Sequence, residues 1–145
     1  MVTYSLKQVV RNAIAVEQAA EAFYRTLSDS TDNTEAKVFL DGMADQEKSH
    51  QKRIRNLAAQ LQVGDLPFRA DDNVELVETA PEWADVDQLD YETALQIALE
   101  NEEHAVLFYS ALCEVSSGTM AAFFKRLMKD EEEHVARLSE RLEQR

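Results

Sequence analysis

The sequence contains one cysteine, Cys113, and few residues that interrupt helices, with three glycines and two prolines. A single cysteine excludes an intramolecular disulfide, and it excludes the paired cysteines of an iron–sulfur cluster or a rubredoxin-type iron site. The chain lacks any run of about 18 apolar residues, the length that a membrane-spanning helix needs, and its N-terminus lacks the apolar segment of a signal peptide. We therefore expect a cytoplasmic protein without a membrane partner.

Basic residues are also scarce, because 15 lysines and arginines face 28 acidic residues, which gives a net charge of −13. A surface of this sign repels nucleic-acid phosphates and anionic lipids. The composition therefore predicts no nucleic-acid partner, and it favours the attraction of cations.

Apolar residues recur with the 3.6-residue period of amphipathic helices over most of the 145 residues, which fit one domain at 1–145. The predicted helices span about residues 5–28, 34–62, 90–115 and 119–143. Residues 63–88, which include both prolines, show no sustained period and predict a long crossover. The expected class is therefore all-α, with two antiparallel helical hairpins joined by the crossover into a four-helix bundle.

One polar pattern occurs twice on the inward faces of these helices. In each half, a glutamate is followed two turns later by a tyrosine, and the next helix carries Glu-x-x-His. The first copy is Glu17, Tyr24, Glu47 and His50, and the second copy is Glu102, Tyr109, Glu131 and His134. A repeat of this kind predicts two similar hairpins.

The spacing of the pattern predicts that its ligand-type side chains meet. Residues equally far from the turn of an antiparallel hairpin lie at one level, and Glu17 and Glu47 are equally far from residue 32. Glu102 and Glu131 are likewise symmetric about the turn at 116–117. Each histidine follows its glutamate by three residues, so both side chains project from one face. Four carboxylates and two imidazoles in one layer are the ligand set of a dinuclear metal site.

The free-energy cost of burying four ionised carboxylates without counter-charge would exceed the net stability of a domain, which is about 5–15 kcal/mol. Two divalent ions would balance the charge of Glu17, Glu47, Glu102 and Glu131. Oxygen and imidazole ligands without thiolate favour iron, with manganese as the alternative, over a structural zinc site. Open metal positions would admit oxygen or peroxide.

On these two motifs, the sequence resembles the rubrerythrin-like branch of the ferritin-like diiron-carboxylate superfamily, without its rubredoxin-like domain. The resemblance covers both hairpins and implies a ferritin-like bundle with two iron ions. It implies that Glu47 and Glu131 bridge the metals, that Glu17 and Glu102 are terminal or shifting ligands, and that His50 and His134 each bind one metal.

The resemblance also implies that Tyr24 and Tyr109 form hydrogen bonds to ligand carboxylates and act as redox-active groups, although both could equally be packed aromatic residues. The third helix offers Glu100, Glu102 and Glu103 together. The spacing to Tyr109 favours Glu102, while a shift of the alignment by one residue would make Glu100 and Glu103 the family pair and leave Glu103 as an additional, seventh ligand.

By resemblance, the function is that of a diiron oxidoreductase, a peroxidase active against oxidative stress. It would reduce hydrogen peroxide or oxygen with electrons from an unknown external donor. Two alternatives stay open: a ferroxidase in iron handling, and a metal-stabilised binding module without turnover. A homodimer is the family-level expectation.

Overall fold

A computed structural model describes residues 3–61, 65–67, 90–114 and 116–144 of the chain. The described elements are β1 (Thr3–Ser5), α1 (Leu6–Ser30), α2 (Thr34–Leu61), β2 (Asp65–Pro67), α3 (Tyr91–Glu114) and α4 (Gly118–Glu143). The predicted all-α class is confirmed, since the core is formed by the four long helices. None of the described helices combines the length and apolar character needed to cross a bilayer.

The two short strands were not predicted. They pair antiparallel, with Tyr4 opposite Leu66, and so connect the chain that enters α1 with the chain that follows α2. Strands of three residues are too short to show the alternating pattern by which a strand is recognised in a sequence. The predicted crossover, about 63–88, lies outside the described residues except for β2.

Side-chain caps mark where two of the helices begin. The Asn33 Oδ1 atom accepts a hydrogen bond of 3.0 Å from the Ala36 N–H at the start of α2. Asp90 Oδ1 accepts one of 2.8 Å from the Thr93 N–H at the start of α3, and this bond lowers the pKa of the Asp90 carboxyl. Both caps satisfy N–H groups that have no partner within their helix.

Helix α1 packs against α2, and α3 packs against α4, so the bundle consists of two hairpins. The hairpins are connected by side-chain hydrogen bonds from Tyr24 to Glu102 and from Tyr109 to Glu17. Because the residue further along α1 bonds to the earlier residue of α3, these two helices run antiparallel. The turn of one hairpin and the turn of the other therefore lie at opposite ends of the bundle.

Two apolar clusters fill the ends of the bundle. One includes Ile54, Leu112 and Leu127, and the other includes Leu40 and Leu138. Every one of these five side chains is at most 1% exposed. The middle of the bundle, between the two clusters, holds a layer of buried polar residues. Apolar packing on both sides keeps this layer away from water, which strengthens its electrostatic interactions.

Candidate metal centre

The buried polar layer receives side chains from all four helices. Its carboxylates and imidazoles are Glu17 from α1, Glu47 and His50 from α2, Glu102 from α3, and Glu131 and His134 from α4. Each of these residues is at most 3% exposed. The structure therefore brings together all six residues that the repeated pattern predicted as ligands.

The six residues form two overlapping groups that could each hold a metal ion. In one group, Glu17 and His50 join Glu47 and Glu131, and every residue offers a ligand atom within 4.8 Å of the others. The second group consists of Glu47, Glu102, Glu131 and His134, with the same limit. Because Glu47 and Glu131 belong to both groups, they lie where carboxylates would be shared by two ions.

The shared carboxylates also have oxygens without hydrogen-bond partners. Glu47 Oε1 and both oxygens of Glu131 are buried and accept no aligned hydrogen bond from any residue that the structure describes. Histidine nitrogens are near, with His134 Nδ1 2.8 Å from Glu47 Oε1 and His50 Nδ1 3.0 Å from Glu131 Oε1. These N···O pairs are close but poorly aligned for N–H donation. Buried oxygens of this kind are costly unless a cation binds them, so the residues fit a metal.

Both histidine rings direct Nδ1 towards the carboxylates. His50 Nδ1 also lies 3.3 Å from Glu17 Oε2, and His134 Nδ1 lies 3.3 Å from Glu102 Oε2. One nitrogen cannot donate well to several oxygens at once, whereas an ion bound to Nδ1 can bind all of them. The two rings are nearly parallel, with centroids 5.8 Å apart. Nδ1 is therefore the candidate ligand atom of each ring.

The outer ring nitrogens contact two residues that the sequence analysis missed. Gln46 Oε1 lies 2.5 Å from His134 Nε2, and Asp130 Oδ2 lies 3.3 Å from His50 Nε2. A sequence signal existed, because Gln46 directly precedes Glu47 and Asp130 directly precedes Glu131. A residue one position before an inward-facing ligand can reach the histidine of the facing helix.

The two tyrosines connect the hairpins across the centre. Tyr24 donates its hydroxyl to Glu102 Oε1 at 2.8 Å, and Tyr109 donates to Glu17 Oε1 at 2.5 Å. Both rings are fully buried. Burial and the neighbouring carboxylates raise the pKa of both hydroxyls well above the usual range, which keeps them protonated. In the structure both hydroxyls therefore donate to, and orient, Glu102 and Glu17, the two outer glutamates that belong to only one ligand group each. The redox role of the tyrosines stays a prediction.

The four carboxyls are packed closely together, and as a result two of their pKa values are raised and two are lowered. Burial and the charges of Glu131 and Glu17 raise the pKa of Glu47 well above its ordinary value. Burial and repulsion from Glu131 raise the pKa of Glu102 to about 8. Burial also acts against ionisation of Glu17 and Glu131, but close contacts with neighbouring carboxyl and imidazole groups outweigh it and lower the pKa of each. Glu102 therefore retains its proton at neutral pH, and the pKa of Glu47 is shifted in the same direction.

The histidines take up protons as well. Burial acts to lower the pKa of His50, but close contacts with Glu131 and Glu17 raise it to about 9. The pKa of His134 is raised well above its usual value, since contacts with Glu102, Glu131 and Glu47 outweigh its burial. Protons on these groups offset part of the negative charge of the layer. Metal ions that enter must displace these protons.

The remaining candidates lie away from the centre. Glu103, the proposed additional ligand, is exposed and belongs to neither ligand group, and Glu100 is also exposed. The structure thus turns Glu102 inward and leaves Glu103 on the surface, and ligation by Glu103 stays a prediction. Cys113 is half-buried, with its thiol 3.4 Å from the Ala121 carbonyl oxygen.

Comparisons with known proteins agree with this geometry. The family model for rubrerythrin matches residues 8–143. The fold is similar to that of a protein from Thermotoga maritima assigned to the ferritin-like diiron-carboxylate proteins, with 23% identity, a TM-score of 0.71, and coverage of 97% of this chain and 95% of that one. A hypothetical protein from Pyrococcus furiosus is also similar, with 23% identity, a TM-score of 0.74, and coverage of 97% and 89%. No curated protein sequence matches the chain. The predicted ferritin-like architecture is thus confirmed.

Proposed function

Because the chain belongs to the rubrerythrin family, we propose that its buried centre holds two iron ions and reduces hydrogen peroxide with electrons from an external donor. One observation supports this proposal most directly. The two ligand groups share Glu47 and Glu131, and three of their buried oxygens, Glu47 Oε1 and both oxygens of Glu131, have no hydrogen-bond partner among the described residues. Such sharing would hold two ions next to each other, and two ferrous ions can together supply two electrons.

The donor set supports iron, or manganese as the alternative. Each group offers three carboxylates and one imidazole, and neither includes a cysteine. Hard oxygen ligands with imidazole suit iron and manganese, while structural zinc sites are mostly closed tetrahedra of cysteine and histidine. With two ferrous ions bound, the centre supplies the two electrons that cleave the O–O bond.

Residues next to the ligands fix the ligand carboxylates, retain protons and exclude water. Tyr24 and Tyr109 each keep a proton on the hydroxyl and fix the outer carboxylates of Glu102 and Glu17. The two apolar clusters exclude bulk water from both ends of the layer. One hydrogen peroxide takes up two electrons and two protons to give two waters, so the donor must return two electrons in each cycle. The single cysteine of these 145 residues cannot supply the several thiolates of a cysteine-bound iron site, so we propose an external donor.

The test is an anaerobic titration of metal-free protein with ferrous ion, followed by rapid mixing with hydrogen peroxide or oxygen. We expect two irons per chain, faster oxidation by peroxide than by oxygen, and repeated turnover when a reductant is added. Glu131→Gln removes a shared carboxylate and should abolish binding of the pair. Glu132→Gln, at an exposed neighbouring position, removes the same charge and should leave both irons bound.

Other outcomes would contradict the proposal in distinct ways. Faster oxidation by oxygen, with continued uptake of iron beyond two per chain, would indicate a ferroxidase. Two bound irons that react with neither oxidant would indicate a metal-stabilised binding module. Binding of fewer than two irons by the unaltered protein would refute the dinuclear site itself.

A further inference from the structure

The six ligand residues are symmetric between the two halves of the chain, but the residues that contact their histidines are not. Gln46 and Asp130 occupy equivalent positions, each directly before the shared glutamate of its helix. Each approaches the outer nitrogen of the histidine in the facing helix, at 2.5 Å for Gln46 and 3.3 Å for Asp130. One side chain is a neutral amide and the other is a carboxylate.

We propose that Gln46 and Asp130 are positioning residues that make the two metal positions unequal, and that the position of His50 binds the first iron. The proposal rests on the diiron function, because it concerns how strongly each histidine donates to its metal. The proposed difference in iron affinity between the two positions comes from residues that are not themselves ligands.

The chemical reason lies in the acceptor at each Nε2 atom. When Nδ1 binds a metal, the neutral ring carries its proton on Nε2, so the neighbouring group must accept it. Gln46 accepts through its amide oxygen, which fixes the ring but carries no charge. A carboxylate accepts more strongly, pulls the proton further from the ring, and makes Nδ1 a better donor to the metal.

The surroundings of Asp130 hold it in this role. Arg53 Nη2 donates to Asp130 Oδ2 at 2.6 Å, which fixes the carboxylate beside His50. The arginine offsets part of the negative charge, but both partners are about one-third exposed, with side-chain exposures of 30% and 32%, so solvent screens that offset. A surface cavity of about 190 Å³ is lined by His50, Arg53, Asp130, Gln46, Ser49 and Glu133. Substitutions here can change the charge at Nε2 without disturbing the apolar clusters.

Isosteric substitutions can exchange the two acceptors. Asp130→Asn keeps an acceptor oxygen but removes the charge opposite His50. Gln46→Glu keeps the shape but adds a charge opposite His134. Glu133→Gln is the matched control, because it removes one charge from the wall of the same cavity at an exposed residue with no described contact to either imidazole.

The measurement is the Mössbauer spectrum of metal-free protein loaded anaerobically with one equivalent of ⁵⁷Fe(II), together with the two binding constants from calorimetry. Two cations repel each other, so two binding steps alone do not distinguish the positions. The occupancy at one equivalent does distinguish them. We expect one dominant ferrous doublet in the unaltered protein and in Glu133→Gln, and loss of that doublet in His50→Ala.

Asp130→Asn should weaken the first binding step roughly tenfold and spread iron over both positions, since groups that orient a ligand histidine contribute about 10–100-fold in metal affinity. Gln46→Glu should strengthen the His134 position by a similar factor, and the double variant should reverse the order. Equal occupancy in the unaltered protein, or equal effects of Asp130→Asn and Glu133→Gln, would overturn the inference while leaving the diiron centre in place. Fewer than two irons at saturation would overturn both.

Discussion

Metal binding to this centre should release protons. At pH 7 a pKa of about 8 keeps a proton on Glu102 and a pKa of about 9 keeps His50 charged, and the pKa values of Glu47 and His134 are shifted in the same direction. Ligation requires each of these groups to lose the proton that it carries. We therefore expect about two to four protons to be released when two divalent ions bind at pH 7.

The sign of the pH dependence follows from the same groups. As the pH rises through about 8, Glu102 loses its proton before any metal arrives, and His50 does so near pH 9. The number of released protons should therefore fall over this range. Because fewer protons compete with the metal, the apparent affinity should rise with pH until these groups are deprotonated.

The assay is anaerobic calorimetry with Mn(II), which avoids oxidation, in buffers of different ionisation enthalpy. The slope of the observed heat against that enthalpy gives the number of protons. His104→Ala, at an exposed histidine, is the control and should release as many protons as the unaltered protein. Release of fewer than about two protons at pH 7, or a number that does not change between pH 6 and 9, would refute this account of the charge balance.

The same pKa values predict how the stability of metal-free protein varies with pH. The folded-state pKa of Glu102 is about 8 against an ordinary 4.5, and that of His50 is about 9 against 6.5. The folded state binds more protons than the unfolded state between these values, so the free energy of unfolding should fall as the pH rises from about 5 to 9. Urea unfolding at several pH values measures this. A rise in stability over that range would contradict the raised pKa values.

Three further substitutions should change stability by different mechanisms, each measurable by urea unfolding of metal-free protein. Tyr109→Phe removes the donor to the Glu17 carboxylate and should cost about 1–3 kcal/mol; an unchanged midpoint would exclude a structural role for this bond. Leu138→Ala leaves a cavity at a fully buried position and should cost about 2–5 kcal/mol, so a loss below 1 kcal/mol would contradict close packing there. Gly118→Ala should destabilise, since its φ is 60°, whereas Gly42→Ala within α2 should stabilise by about 0.5–1 kcal/mol; equal signs would be inconsistent with these backbone conformations.

The family and the fold class could be predicted from the sequence because the relevant signals are local or symmetric. The spacing of Glu47 and His50 places both side chains on one face of a helix, whatever the helix packs against. Glu17 and Glu47 are equally far from the short turn between their helices, so they lie at the same height along the bundle. Both signals recur in the second half, which is why the four-helix bundle and the rubrerythrin family were both confirmed.

Other features depend on contacts between segments far apart in the chain. The pairing of β1 with β2 has no sequence pattern of its own, since three residues give too little periodicity. The contacts of Gln46 with His134 and of Asp130 with His50 exist only because α2 and α4 lie side by side. A sequence does not show which of its polar side chains contact a neighbouring helix.

Helix periodicity is a property of each segment, so the repeated pattern of the six ligand residues and their common inward face follow from the sequence alone. The packing of the four helices shows in addition that Glu103 is exposed, that each tyrosine donates to the glutamate of the opposite hairpin, and that the two ligand groups overlap at Glu47 and Glu131. It also set the division of protons among the four carboxyls. The physical reason is that burial, hydrogen-bond geometry and charge repulsion act between helices, and their strength depends on distances that no single segment specifies.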